Sequence, residues 1–143
     1  MTDNGPKIHR SLDVNPIIRF LKAEFEVIQA VYIFGSAITN DFTRNSDLDI
    51  AVKFRTQIDN ISRWRTQEKL AAQINRDVDL VELNRASLVM QFEVVSKGLK
   101  VYCADSYEVD LYETLIFSRY LDFNEIRKSI ITDIIDRGSI YAH

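Results

Sequence analysis

Two short apolar runs, Ala30 to Phe34 and Ile50 to Val52, are joined by a link that opens on Gly35-Ser36 and closes, ten residues later, on Asp47-Leu48-Asp49. Brief β-rich runs bounded by turn residues are the pattern of buried strands. The chain is therefore expected to leave one strand at Gly35 and enter another at Asp47, both at the same edge of one sheet. Gly35 has no Cβ and lets the backbone approach a ligand closely. Ser36 offers a hydroxyl and an N–H to a phosphate oxygen. Asp47 and Asp49, alternate residues on a strand, point to one face. Two hard oxygen donors beside a phosphate cradle suit Mg2+, which takes a couple of carboxylates and fills its other positions with water and substrate phosphate. The competing structural reading is a Gly-Ser turn followed by surface aspartates that cap a strand.

A further strand is predicted over about Val78 to Leu83. Alternation groups Asp77, Asp79 and Val81 on one of its faces and Val78, Leu80 and Glu82 on the other.

The stretches Tyr32-Ile33-Phe34-Gly35-Ser36 and Ser46-Asp47-Leu48-Asp49-Ile50-Ala51-Val52 resemble the Gly-Ser-x10-Asp-x-Asp signature of the nucleotidyltransferase superfamily, and the chain's size resembles its minimal (MNT) branch. The resemblance implies an α/β (α+β) fold, a nucleotidyltransferase-like mixed sheet backed by helices. It implies that Gly35 and Ser36 grip the nucleotide's phosphates and that Asp47 and Asp49 hold Mg2+. It also implies a third metal-binding and catalytic carboxylate on a later strand, directly before an apolar Leu-Val step, which favours Asp79 and leaves Asp77 as the competing assignment. The implied reaction is transfer of AMP from ATP to an acceptor hydroxyl. Many minimal members follow Gly-Ser with an arginine-rich run, whereas this chain has Ala37-Ile38-Thr39-Asn40-Asp41. Arg44 could supply charge instead, although a solvated loop arginine is the plainer reading.

Family resemblance also suggests the acceptor. Stand-alone MNT proteins commonly act as antitoxins, modifying a tyrosine of a HEPN-domain ribonuclease toxin, and that implies a hetero-oligomer with such a toxin. The alternatives are a small-molecule nucleotidyltransferase with an aminoglycoside-like acceptor, its site completed by homodimerisation, and a non-catalytic toxin-binding module.

The rest of the sequence is in keeping with a small enzyme. At 143 residues the chain is expected to be a single minimal nucleotidyltransferase domain, with residues 1–13 a flexible tail and 105–138 a C-terminal helical segment. A net charge of −3 argues against direct nucleic-acid or anionic-membrane binding. No secretory signal or membrane-spanning run stands out, so a cytoplasmic address is expected. One cysteine, Cys103, excludes an intramolecular disulfide and reads as a small buried hydrophobe. His9 and His143 fall in expected tails and make poor ligands.

Asn15-Pro16 reads as an N-cap and first helical residue, with a helix to about Gln29 and the first strand from Ala30. A second helix from Asp59 or Asn60 to Asn75 is expected to bury Ile61, Trp64, Leu70, Ala71 and Ile74, with Arg63, Arg65 and Lys69 on its solvated face. A third runs from Asn84 or Ser87 to about Val95, closed by Lys97-Gly98, ahead of a strand from Leu99 to Cys103. From Tyr107 to Asp136 there is neither Pro nor Gly. Apolar residues at helical spacing there predict one long helix or two joined near Asp122-Phe123-Asn124.

Overall fold

Alternation along the strands sets the layering. In the computed structural model, which describes residues 7–9 and 12–141, strand β2 (Leu48–Phe54) buries Leu48, Ile50, Val52 and Phe54 almost completely, while Asp49 and Lys53 of the opposite face stay partly exposed. It lies between β1 (Ile28–Phe34) and β3 (Val78–Glu82), and β4 (Leu99–Cys103) completes a four-stranded sheet of order β3-β2-β1-β4. β1 runs antiparallel to β2 and β4, whereas β2 and β3 are parallel. The sheet is thus mixed, as the resemblance implied, and β4 forms one edge.

Helices cover both faces. The cluster holding Leu48, Ile50 and Val52 also holds Ile17 and Leu21 of α1 (Asn15–Glu24) and Leu70 of α2 (Asn60–Ile74). On the other face Ala30, Tyr32 and Ala51 pack with Val94 of α3 (Leu88–Lys97) and Val109 of α4 (Ser106–Tyr141). Asp59 caps α2, its carboxylate accepting the Ser62 N–H at 2.8 Å, and Ser87 caps α3 by accepting the Met90 N–H at 3.1 Å.

Several expectations change. α1 stops at Glu24, five residues short of Gln29, because Phe25 is already extended; Phe25 and Ile28 lie at helical spacing but reach the core from a turn and a strand. Asn15 is the first helical residue rather than the cap, and its N–H bonds to Asp13 Oδ1 at 3.1 Å. On α2, Leu70 is buried as expected, but Ile61 and Trp64 are 63% and 54% exposed and Thr66 takes a core position. Arg63 is not on a solvated face: its Nη1 donates to the Leu80 carbonyl at 2.9 Å. Arg65 and Lys69 do face solvent, and Lys69 lies 3.7 Å from Glu24.

The described part of the expected N-terminal tail lies against the fold. The His9 N–H donates to the Ala37 carbonyl at 2.8 Å, its ring sits 5.3 Å from that of Phe42, and Ile8 and Leu12 pack on the core. His143 lies outside the described residues. Cys103 is half-buried at the end of β4.

α4 is one continuous helix of 36 residues, with no break at Asp122. Its first half is pinned to the sheet: the buried Tyr32 hydroxyl donates to Glu113 at 2.8 Å, and Lys100 Nζ reaches the other Glu113 oxygen at 2.9 Å. Tyr112 donates to Gln91 of α3 at 2.7 Å, and Tyr120 stacks on Phe92 with centroids 3.7 Å apart. From Glu125 to Arg137 every residue is exposed, among them Ile126, Ile130, Ile131, Ile134 and Ile135. No helix among the described residues is long and apolar enough to cross a membrane.

Candidate active site

The Gly-Ser turn and the first two carboxylates meet because β1 and β2 are antiparallel neighbours. Phe34, the last residue of β1, pairs with Asp49, so Gly35 is carried to the side of that carboxylate. Gly35 has φ +71°, a left-handed conformation that favours glycine. A Cβ on Gly35 would also collide with Asp49 Oδ2 and lie 3.1 Å from its Cγ. Glycine is therefore favoured twice at this position, by the turn and by the close approach of the Asp49 carboxylate, which any larger residue would push aside. The chain continues as a single 3-10 turn, Gly35–Ile38, closed by the Ser36 carbonyl accepting the Thr39 N–H at 3.0 Å and its hydroxyl at 3.1 Å.

Asp79 arrives from the other side of β2. In the parallel β2–β3 pairing it stands opposite Asp49, and it is exposed. Asp47 lies one residue before β2 and is also exposed. The Asp49 carboxyl is held above the usual carboxylate range, first by partial burial, then by the charge of Asp79 and then by that of Asp47. The three side chains thus share one electrostatic neighbourhood, in which added positive charge is favourable. No group of three or more His, Cys, Asp and Glu side chains among the described residues is already drawn together as a metal cage. The donors are nonetheless hard oxygens, beside a cradle that a Cβ would fill. That set fits Mg2+, which completes its shell with water and substrate phosphates.

Asp77 is placed differently. It precedes β3, its carbonyl accepts the Leu48 N–H at 2.9 Å, and it lines a cavity of about 600 Å3 with Arg44, Asn45, Ser46 and Arg76. Its charge is not among those acting on Asp49. Arg44 is exposed at that cavity's wall, in keeping with a solvated loop arginine.

One contributor escaped sequence reasoning. Arg76 Nη1 donates to the carbonyls of Thr43 and Ser46, each at 2.7 Å, and its guanidinium lies 4.2 Å from the Phe42 ring centroid. It fastens the loop that delivers Asp47. Its position directly before the acidic strand was the available signal, but an arginine that bonds only to backbone carbonyls has no mark in the sequence.

The sequence and the fold are similar to those of known proteins. The profile of the family described as "Polymerase beta, Nucleotidyltransferase" matches residues 15–107. The chain is 35% identical over 134 residues to protein adenylyltransferase MntA of Shewanella oneidensis, covering 94% of this chain and 96% of that one. It superposes with a TM-score of 0.78 and 36% identity on a chain of a toxin-antitoxin crystal structure containing AMP-PNP, covering 87% of this chain and 99% of the other. For a chain of the tri-AMPylated Shewanella oneidensis HEPN toxin in complex with MNT antitoxin, the TM-score is 0.72 at 33% identity, with 89% and 99% covered. The profile match spans both the glycine-serine turn and the acidic strands, and by it the chain belongs to the polymerase beta nucleotidyltransferase family.

Proposed function

We propose that this protein is an antitoxin that transfers AMP from ATP to a tyrosine hydroxyl of a HEPN-domain toxin and thereby neutralises it. The observation that carries the reading is the grouping of Asp47, Asp49 and Asp79 beside the Gly35-Ser36 turn, together with near full-length similarity to an adenylyltransferase of that kind.

Gly35 and Ser36 present backbone amides and a hydroxyl to the triphosphate. Asp47 and Asp49, with Asp79 at their side, would hold Mg2+, whose charge stabilises the attacking and departing oxygens of an in-line displacement. The acceptor hydroxyl oxygen forms a bond to the α-phosphorus, the bond to the bridging oxygen breaks, and pyrophosphate leaves. Asp79, exposed and opposite Asp49, takes the proton of the acceptor hydroxyl. The distal half of α4, where exposed isoleucines stand among charged residues, supplies a surface for the toxin. The cytoplasm, where ATP and Mg2+ are both supplied, is the compartment this reading requires.

Co-expression with the cognate toxin should yield a stable complex whose toxin carries added AMP on tyrosine, seen by mass spectrometry. The variant Asp47→Asn with Asp49→Asn should still fold and bind while leaving the toxin unmodified. A fully modified toxin beside that variant would remove these carboxylates from the chemistry, and modification of a small-molecule hydroxyl with no toxin partner would redirect the reading to an antibiotic-modifying activity.

A further inference from the structure

β3 is an edge strand, with β2 its only partner in the sheet among the described residues. Asp79 is therefore carried on an element held by a ladder on one side only, whereas Asp49 sits on β2, paired on both sides. Single-sided strands fray and slip more readily than interior ones. A carboxylate used in chemistry needs its place fixed to within a fraction of an ångström. Asp79 is exposed, so its position depends on the backbone that carries it.

The peptide groups next to it are fastened from outside the sheet. The Leu80 N–H donates to Gln67 Oε1 at 2.9 Å, and the Leu80 carbonyl accepts from Arg63 Nη1, also at 2.9 Å. Both side chains come from α2, one turn apart, on a helix anchored in the core through Leu70. The Arg63 fork is itself held, its Nε donating to Asn60 Oδ1 at 2.9 Å. Leu80 is 1% exposed, so these backbone groups have little access to water. Amide and guanidinium together do for β3 what a fifth strand would do.

We propose that Arg63 and Gln67 are positioning residues for Asp79, clamping the Leu80 peptide so that the Asp79 carboxylate is held opposite Asp49. The inference rests on the proposed role of Asp79 in nucleotidyl transfer. Removing the Gln67 acceptor leaves the Leu80 N–H without its partner and frees the middle of β3 to move, while the remaining sheet is untouched.

The test uses the full chain and two readouts. In Gln67→Met, close in length but without the amide, the Leu80 amide should exchange at least about tenfold faster by NMR, with Ile33 and Val52 unchanged. The kcat for toxin modification should fall by about tenfold or more, on the scale of what small misplacements of reacting groups cost, with KM for ATP within about twofold. Gln67→Glu keeps an acceptor and should restore Leu80 protection; Arg63→Met, which leaves the Leu80 carbonyl without its donor, should reproduce the fall in kcat. Unchanged exchange and unchanged kcat in Gln67→Met would overturn the clamp. So would a uniform rise in exchange across the sheet, because that marks general destabilisation. An Asp79→Asn variant with wild-type kcat would instead overturn the role of Asp79, a result separable from the Leu80 exchange measurement.

Discussion

At Asp49 the fold and the chemistry pull in opposite directions. Partial burial and two neighbouring carboxylates raise its pKa, so the folded state holds this proton to higher pH than the unfolded chain does. The stability linked to that proton is present below the unfolded value and is lost as pH rises through the raised folded value. At neutral pH the ionised group is a liability to the fold, which a bound cation would offset. Asp49→Asn should therefore abolish transfer yet raise Tm at pH 7 by up to about 2–4 °C, the scale of 1 kcal/mol in a domain of this size. The gain should vanish below about pH 4, where an aspartate is protonated in both states, and thermal melts across that range check it. The meeting of the Gly35-Ser36 turn with Asp47 and Asp49 was legible in the sequence because it depends on local backbone and spacing. Alternation alone left Asp77 and Asp79 on one face, and the family resemblance favoured Asp79; the register adds that Asp79 stands in the ladder opposite Asp49, whereas Asp77 precedes β3. Arg76 and Gln67 were not legible, since a polar side chain bonded to a distant peptide group leaves no periodic trace.

Among the elements, the strands emerged close to their expected limits because each is a short apolar run closed by turn residues. Helix faces were harder to read. On α2 the spacing suggested a stripe through Ile61 and Trp64, whereas the helix is rotated to bring Thr66, Leu70 and the clamp residues inward. Burial by edge-strand hydrogen bonding is invisible to hydropathy, and that is why the polar side prevailed. The uninterrupted run after Tyr107 did foretell α4, although not its continuity past Asp122. Beyond Asn124 that helix carries a row of isoleucines that none of the described residues covers, Ile130 and Ile134 being 54% and 61% exposed. Ile130→Asp combined with Ile134→Asp should weaken the toxin complex by at least about 2 kcal/mol, the level of interface hot spots, while Tm of the isolated chain moves little. Titration calorimetry with unmodified toxin measures the first and a thermal melt the second; binding at full strength would place the toxin elsewhere.

Across the whole molecule, two helical layers are tied to one sheet by different means. α1 and α2 rest on an apolar core, whereas α4 is also anchored by the chain Tyr32, Glu113 and Lys100 that joins β1, α4 and β4. Burial, followed by the hydrogen bond to Glu113, raises the Tyr32 pKa, so the phenol stays a proton donor throughout the physiological range. Tyr32→Phe should cost about 1.5–3 kcal/mol, the range for a hydrogen bond to a charged group, measured by urea denaturation. The loss should concentrate in hydrogen exchange along the first half of α4. The far edge of the sheet carries another implication. With both peptide groups of Leu80 already taken by α2, another chain cannot extend the sheet through the middle of β3. A polypeptide acceptor cannot then reach Asp79 by adding a strand at this edge, so its reactive side chain has to approach the carboxylates without main-chain pairing to Leu80.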